Sequence, residues 1–120
     1  MAGFTLYHNP RCSKSRQTLA LLESHGVTPK VVLYLETPPD AKTLKALIKR
    51  LGLPRAHDLL RNKEAEYALA GLKADSKDDD VIAAMVKYPK LIERPIVVSG
   101  SRAVIGRPPE NALTLIDEAK

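Results

Sequence analysis

The stretch FTLYHNPRCSKSRQTLALLESHGVTPKVVLYL, residues 4–35, decides the fold because a strand, a helix and a second strand follow one another within it. Phe4–Tyr7 alternates apolar and polar side chains, which predicts a strand. Ser13–Ser24 carries leucines at helical spacing and is followed by Gly26, which predicts a helix and its end. Lys30–Leu35 is an apolar, β-branched run typical of a buried parallel strand. Together these elements predict a right-handed βαβ unit.

The middle of the chain is predicted to be helical. Leucine and isoleucine side chains at helical spacing precede Gly52, and one or two short helical turns are expected to end near Gly71. The acidic segment DSKDDD, residues 75–80, is typical of a helix start because carboxylates are favoured at helix N-termini. A further helix is therefore expected over residues 81–88. The sequence predicts a helical insert over about residues 37–90.

The last part of the chain returns to strands. Ile96–Val98 and Ala103–Ile105, separated by a short turn, predict a β-hairpin, and Pro108 with the proline after it is expected to open a last helix. The order is β-α-β, helices, β-β-α, which is an α/β protein. With no linker long enough to divide it, the chain is expected to be a single domain over residues 1–120.

Composition excludes several classes of protein. One cysteine cannot form an internal disulfide, and nothing near the N-terminus resembles a signal peptide, so a reducing cytoplasm is expected. The longest apolar run, Val81 to Val86, is far shorter than the ~20 residues that span a bilayer, so no membrane partner is expected. The net charge of +5 suits an anion, but the basic residues are dispersed and there are five aromatic residues, which disfavours nucleic acid.

The cysteine, Cys12, is predicted to lie where the first strand ends and the first helix begins. Arg11, Lys14 and Arg16 surround it, and no acidic residue precedes Glu23. A helix N-terminus and nearby cations can lower the pKa of a thiol from ~8.5 to ~3.5–7.5. The sequence therefore predicts an activated thiol beside an anion site. The alternative, a small buried apolar side chain, remains open.

Three other residues are candidates by position. His8, at the end of the first strand, is expected to hydrogen-bond the backbone, orient the loop or act as a cation near the thiol. A metal site is not expected because His8 and Cys12 have no third ligand. Arg94 and Arg107 each precede a proline at a strand end, where their guanidinium groups could bind a tetrahedral oxyanion or remain ordinary surface residues.

The chain resembles the ArsC family of glutaredoxin-coupled arsenate reductases over nearly its whole length. The family's H-x3-C-x3-R pattern is present in YHNPRCSKSR, and LYLETPP, LLRNKE, ERPIVV and VIGRPPE follow in the family's order. Ser13 and Lys14 replace the Gly-Thr of plasmid-type members, and the chain lacks their longer C-terminal tail, so it is most similar to the shorter chromosomal members. The resemblance implies a thioredoxin-like fold with a small mixed four-stranded sheet and a helical insert between strands 2 and 3.

The resemblance also implies a role for each residue of the H-x3-C-x3-R pattern. Cys12 corresponds to the nucleophile that attacks arsenate and holds the arsenic covalently. His8 corresponds to a residue that helps to tune this cysteine, and Arg16 completes the motif. These three residues form the predicted catalytic set.

A second set of residues is implied to surround the substrate. Arg61, Arg94 and Arg107 match the arginines that bind the oxyanion and its reduced product, and Ser15 is assigned to the same substrate-binding group. Pro95 matches the proline that thioredoxin-like folds hold in the cis form beside the active site.

The implied reaction needs a second thiol from outside the chain because the sequence has one cysteine. Glutathione is the expected co-substrate and glutaredoxin the expected partner, with no bound cofactor and no metal.

Two alternative functions remain open. One is a partner-binding regulator of the Spx type, a group that binds RNA polymerase, although the Cys-x-x-Cys switch that many of them use is absent because residue 15 is serine. The other is a thiol oxidoreductase on the same fold that acts on another substrate.

Overall fold

The computed structural model describes residues 3–119, without the side chains of residues 118 and 119. The chain divides into two compact units: one comprises the residues up to Thr37 and those from Arg94 onward, and the other is Pro38–Glu93. Within the described residues the elements are, in chain order, β1 Phe4–Tyr7, α1 Ser13–Ser24, β2 Lys30–Val32, α2 Ala41–Leu51, α3 Ala65–Leu69, α4 Asp78–Lys87, β3 Ile96–Ser99, β4 Arg102–Ile105 and α5 Ala112–Ala119.

The first unit contains a mixed sheet with the strand order β2-β1-β3-β4. β1 pairs in parallel with β2, with Leu6 opposite Val31, and antiparallel with β3, with Leu6 opposite Val97. β3 and β4 form the antiparallel hairpin, with Val97 opposite Val104. The predicted α/β class and the mixed four-stranded sheet are therefore confirmed, and all helices of the second unit lie in the chain between β2 and β3.

The core of the first unit lies between the sheet and the helices α1 and α5. β1 and β3 bury side chains on the face toward these helices, because alternate residues of a strand point to the same side. The buried cluster consists of Phe4, Leu6, Leu22, Val27, Val97, Ala112, Leu115 and Ile116. This packing fixes the start of α1 relative to the ends of β1 and β3.

The second strand differs from its prediction in length and burial. β2 ends at Val32 rather than Leu35, and the following residues form a turn. It lies at the edge of the sheet, so Val31 is 42% exposed and Leu35 is 39% exposed, while Tyr34 is buried. The strand is parallel to β1, as predicted, but the prediction that it is buried was wrong because a short apolar run does not reveal whether its strand is central or at an edge.

The second unit has a helical framework with well-defined ends. The Asp40 side chain caps α2 by accepting a hydrogen bond from the Thr43 amide at 2.8 Å, and Gly52 ends the helix with φ of 70°. α4 packs against α2 and against the 3-10 turns Ala56–Leu59 and Pro89–Leu91. An isolated antiparallel bridge joins Leu60 to Ile92.

The C-terminal helix begins later than predicted. Pro108 is followed by a 3-10 turn, Pro109–Asn111, and α5 begins at Ala112. None of the helices within residues 3–119 is long and apolar enough to cross a membrane.

Candidate functional site

Cys12 is the N-cap residue of α1 and closes the loop that follows β1. Its amide donates to the Asn9 carbonyl at 3.0 Å, and its carbonyl accepts from the Arg16 amide at 3.0 Å. The Asn9 side chain accepts from the Arg11 amide at 3.0 Å, which is the Asx-turn arrangement that asparagine favours. The loop therefore holds the cysteine at the end of the helix where amide N–H groups lack partners.

The environment of Cys12 favours its thiolate. Burial raises the pKa of the thiol, but the backbone N–H groups of Ser15 and Lys14 and the guanidinium of Arg94 outweigh burial, so the pKa is lowered. Because Cys12 is only half-buried, solutes can still reach this thiol.

Arg94 and Arg107 come together at Cys12 because the β3–β4 hairpin brings its two open ends side by side. Ile96 pairs with Ile105, and the Gly106 amide donates to the Pro95 carbonyl at 2.9 Å. The Arg107 Nη1 atom lies 3.7 Å from the Cys12 Sγ atom and 3.4 Å from the Arg94 carbonyl oxygen. Two predicted oxyanion arginines thus flank the predicted nucleophile.

Both arginines precede prolines that have cis peptide bonds. The Arg94–Pro95 bond is cis, as the resemblance implies, and the Arg107–Pro108 bond is also cis, which the sequence did not predict. Arg94 is half-buried and Arg107 is exposed.

His8 and Ser15 form a buried pair beneath the cysteine loop. His8 Nδ1 lies 2.6 Å from Ser15 Oγ, which also accepts from the Asn9 amide at 3.0 Å. Burial lowers the pKa of His8, and the charge of Arg16 lowers it further. The lowered pKa favours the neutral form of His8, so the prediction of a cation near the thiol is not supported and the prediction of a loop-orienting residue is favoured.

Ser15 and Arg16 make hydrogen bonds to residues of the loop that precedes Cys12. Ser15 is fully buried, and its hydroxyl contacts His8 and the Asn9 amide; its assignment to substrate binding remains a prediction. Arg16 is exposed, and its Nη1 atom donates to the Pro10 carbonyl at 2.9 Å. The cation that lowers the pKa of Cys12 is Arg94, rather than the basic side chains beside it in sequence that were expected to do so.

Arg61 lies in the second unit, where two carboxylates hold its guanidinium. Its Nε atom is 3.3 Å from Glu64 Oε1, and its Nη1 atom is 3.1 Å from Glu93 Oε1. Its amide donates to the Leu91 carbonyl at 2.8 Å, next to the Leu60–Ile92 bridge. Through these contacts Arg61 connects two segments of its own unit. Its role in binding an oxyanion remains a prediction.

Three residues near the site were missed from the sequence. Thr18 of α1 is fully buried and contacts Gly106, and the Asn111 side chain donates to the carbonyls of Ile105 and Arg107 at 3.1 and 3.3 Å. The available signal was the glycine before Arg107 in VIGRPPE, since a glycine beside a functional residue often marks a close backbone approach. Within residues 3–119, no group of three or more His, Cys, Asp or Glu side chains could hold a metal ion.

Known proteins are similar to this chain in sequence and in fold. The ArsC family model matches residues 7–115. The Escherichia coli K12 protein called uncharacterized protein YfgD is 55% identical over 112 residues, which cover 92% of this chain and 94% of that protein. A Neisseria meningitidis protein named arsenate reductase is 45% identical over 112 residues, 92% of this chain and 96% of its own length.

A solved structure agrees with these sequence relatives. The structure described as arsenate reductase from Vibrio cholerae superposes with a TM-score of 0.90 at 49% identity, covering 94% of this chain and 97% of that one. The predicted thioredoxin-like fold is thereby confirmed.

Proposed function

Because the chain belongs to the ArsC family, we propose that it is an arsenate reductase in which the Cys12 thiolate attacks the substrate and Arg94 and Arg107 bind its oxygens. The observation that carries the proposal is the position of the Arg107 Nη1 atom, 3.7 Å from the sulfur of a cysteine whose pKa is lowered. A guanidinium group donates in a planar fork that matches the oxygens of a tetrahedral oxyanion. The nucleophile, Cys12, and the guanidinium groups that would bind the anion, those of Arg94 and Arg107, thus lie side by side.

The proposed first step is attack by the Cys12 thiolate on the arsenic of arsenate. A sulfur–arsenic bond forms, and one arsenate oxygen takes up protons and leaves as water. The arginines offset the charge on the remaining oxygens, and the Ser15 and Lys14 N–H groups favour the ionised form of the thiol before the attack. His8, neutral and bonded to Ser15, would hold the loop in position.

The later steps need thiols from outside the chain, since the sequence has one cysteine. Glutathione adds its sulfur to arsenic, and a second oxygen leaves as water. A glutaredoxin thiolate then attacks the glutathione sulfur; the arsenic–sulfur bond to glutathione breaks, its electron pair remains on arsenic, and a mixed disulfide forms. Water releases arsenite, and Cys12 is regenerated. Such a cycle belongs in a reducing compartment such as the cytoplasm.

A coupled assay tests the proposed function. Arsenate-dependent oxidation of NADPH is measured with the protein, glutathione, glutaredoxin and glutathione reductase, and each component is omitted in turn. We expect turnover that requires all of them. Turnover that persists without glutaredoxin would contradict that partner but not the reductase, whereas no turnover with arsenate under any of these conditions would contradict the reductase itself.

The state of the Cys12 thiol can be measured without turnover. Its alkylation by iodoacetamide is expected to reach half of its maximal rate at a pH below the ~8.5 of an ordinary thiol, because the pKa of Cys12 is lowered. Because thiolate is the reacting form, the rate rises as the pH passes upward through the lowered pKa. Arsenate or phosphate should slow alkylation more than chloride at matched ionic strength, since a bound oxyanion shields the sulfur. An alkylation midpoint near pH ~8.5, together with equal alkylation rates in the oxyanion and in chloride, would contradict the anion site.

Replacement of Arg61 is expected to act first on stability. Arg61→Ala leaves Glu64 and Glu93 as two partly buried carboxylates without the shared cation, at a cost of roughly 1–3 kcal/mol in the free energy of unfolding. Denaturant unfolding of the wild type, Arg61→Ala and Arg61→Lys measures this, with a smaller loss for lysine. Unchanged stability combined with weaker protection of Cys12 by arsenate would instead assign Arg61 to oxyanion binding.

A further inference from the structure

The segment that carries Arg107 runs against helix α1 at Thr18. The Thr18 Oγ1 atom is 2.8 Å from the Lys14 carbonyl oxygen and 3.3 Å from the Gly106 carbonyl oxygen, and the side chain is fully buried. On the other side, the Gly106 amide donates to the Pro95 carbonyl at 2.9 Å. The backbone just before Arg107 is therefore held between α1 and the start of β3.

Gly106 has no room for a side chain. A Cβ atom there would lie 2.6 Å from Thr18 Oγ1, 3.0 Å from Thr18 Cγ2 and 2.9 Å from Pro95 Cγ. These neighbours are a β-branched helical residue and a buried proline ring, which have few other conformations available. Gly100, by contrast, has open space and a φ of 60°, so its requirement is conformational. Gly106 does not have a left-handed φ, so its requirement is spatial.

The close approach of Gly106 to Thr18 and Pro95 determines the backbone position of the next residue, Arg107. Arg107 is exposed, so packing on its own side chain does little to place the guanidinium near Cys12. The Thr18 hydroxyl contacts the carbonyl of Lys14, whose amide helps to lower the pKa of Cys12, and the carbonyl of Gly106. One buried side chain thus links the turn that activates the thiol to the segment that carries the oxyanion donor.

We propose that Thr18 and Gly106 are positioning residues that hold the Arg107 guanidinium at the oxyanion position beside Cys12, an inference that rests on the proposed function. A side chain at residue 106 would displace the segment by a few tenths of an ångström or more, since neither neighbour can move aside easily. Oxyanion binding is sensitive to such displacement because its hydrogen bonds are directional.

The experiment measures the concentration of arsenate or phosphate that halves the rate of Cys12 alkylation by iodoacetamide. Gly106→Ala should raise this concentration at least about tenfold. Gly3→Ala is the matched control, because a Cβ at residue 3 meets nothing within 4 Å and its φ is not left-handed. Thr18→Ala combined with Gly106→Ala removes two of the three close contacts, so it should recover part of the protection lost in Gly106→Ala; the missing Thr18 hydroxyl and the remaining contact with Pro95 prevent full recovery.

Two variants of Thr18 test the hydroxyl and keep the proposal falsifiable if Gly106→Ala does not fold. Thr18→Val keeps the shape and loses the hydroxyl, and we expect a severalfold higher half-protecting concentration, whereas Thr18→Ser should stay within about twofold of the wild type. All measurements are made well below each variant's unfolding temperature, so a residue that serves stability alone would lower that temperature without changing protection.

The outcomes separate this inference from the proposed function. If wild-type Cys12 is protected but Gly106→Ala and Thr18→Val have unchanged half-protecting concentrations, the positioning role is wrong and the oxyanion site remains. If neither arsenate nor phosphate protects the wild type, the oxyanion site itself is wrong, and the positioning role fails with it.

Discussion

Cys12→Ser is expected to abolish arsenate-dependent NADPH oxidation, with a loss of at least about 10³-fold in turnover. The Ser15 and Lys14 amides and Arg94 lower the pKa of the thiol and so raise its thiolate fraction, whereas a serine hydroxyl in the same place stays protonated at pH 7. The variant would therefore have the anion site without the nucleophile. The coupled assay with glutathione, glutaredoxin and glutathione reductase gives this measurement.

The fold of the Cys12→Ser variant should be intact, because serine is a favoured N-cap residue and Cys12 makes no regular capping hydrogen bond. Circular dichroism and the unfolding temperature are the controls. Full activity of the variant would overturn the proposed mechanism. If the wild type is also inactive and the protein instead captures RNA polymerase, the partner-binding alternative replaces the reductase.

Local patterns were sufficient to predict the elements that hold the cysteine. Phe4–Tyr7 and Ser13–Ser24 have the bounds expected from alternation, helical spacing and the glycine at residue 26. These signals depend on residues close to each other in sequence, and the chain follows them. The position of Cys12 between strand and helix could therefore be derived from the sequence.

The second strand shows what such patterns cannot give. Lys30–Leu35 is apolar enough for a central strand, but pairing on one side leaves Val31 exposed, and Tyr34 is buried from within a turn. Burial depends on which elements cover a strand, and that is decided by residues far away in the chain. Composition within the strand does not contain this information.

The same limit applies to the site. The sequence identified Arg94 and Arg107 by their prolines and by the resemblance, but their meeting at Cys12 depends on the pairing of β3 with β4 and of β3 with β1. The predicted contribution of the helix N-terminus to the lowered pKa of Cys12 is confirmed, but the cation that contributes is Arg94 rather than the basic side chains next to Cys12 in sequence. Thr18 gave no local signal, and the glycine at residue 106 could not reveal its partner, since their contact joins residues 88 positions apart.

Arg94→Ala and Arg107→Ala are each expected to cost about 2–4 kcal/mol of transition-state stabilisation, or roughly 30- to 10³-fold in kcat/KM for arsenate. Each removes a guanidinium from the place where the arsenate oxygens gain charge as the sulfur attacks. Arg94→Lys and Arg107→Lys should recover part of the loss, because an ammonium group keeps the charge but cannot donate in the same fork. Steady-state kinetics of the four variants test this.

The two arginines should differ in their effect on the thiol. Arg94 lowers the pKa of Cys12 by its charge and by a hydrogen bond, so Arg94→Ala should move the midpoint of iodoacetamide alkylation to higher pH and reduce the thiolate fraction at pH 7. Arg107 donates to the sulfur from 3.7 Å and lies exposed, so Arg107→Ala should mainly weaken protection by arsenate. Full activity of Arg107→Lys would show that charge alone suffices, and a midpoint unchanged in Arg94→Ala would remove Arg94 from the activation of Cys12.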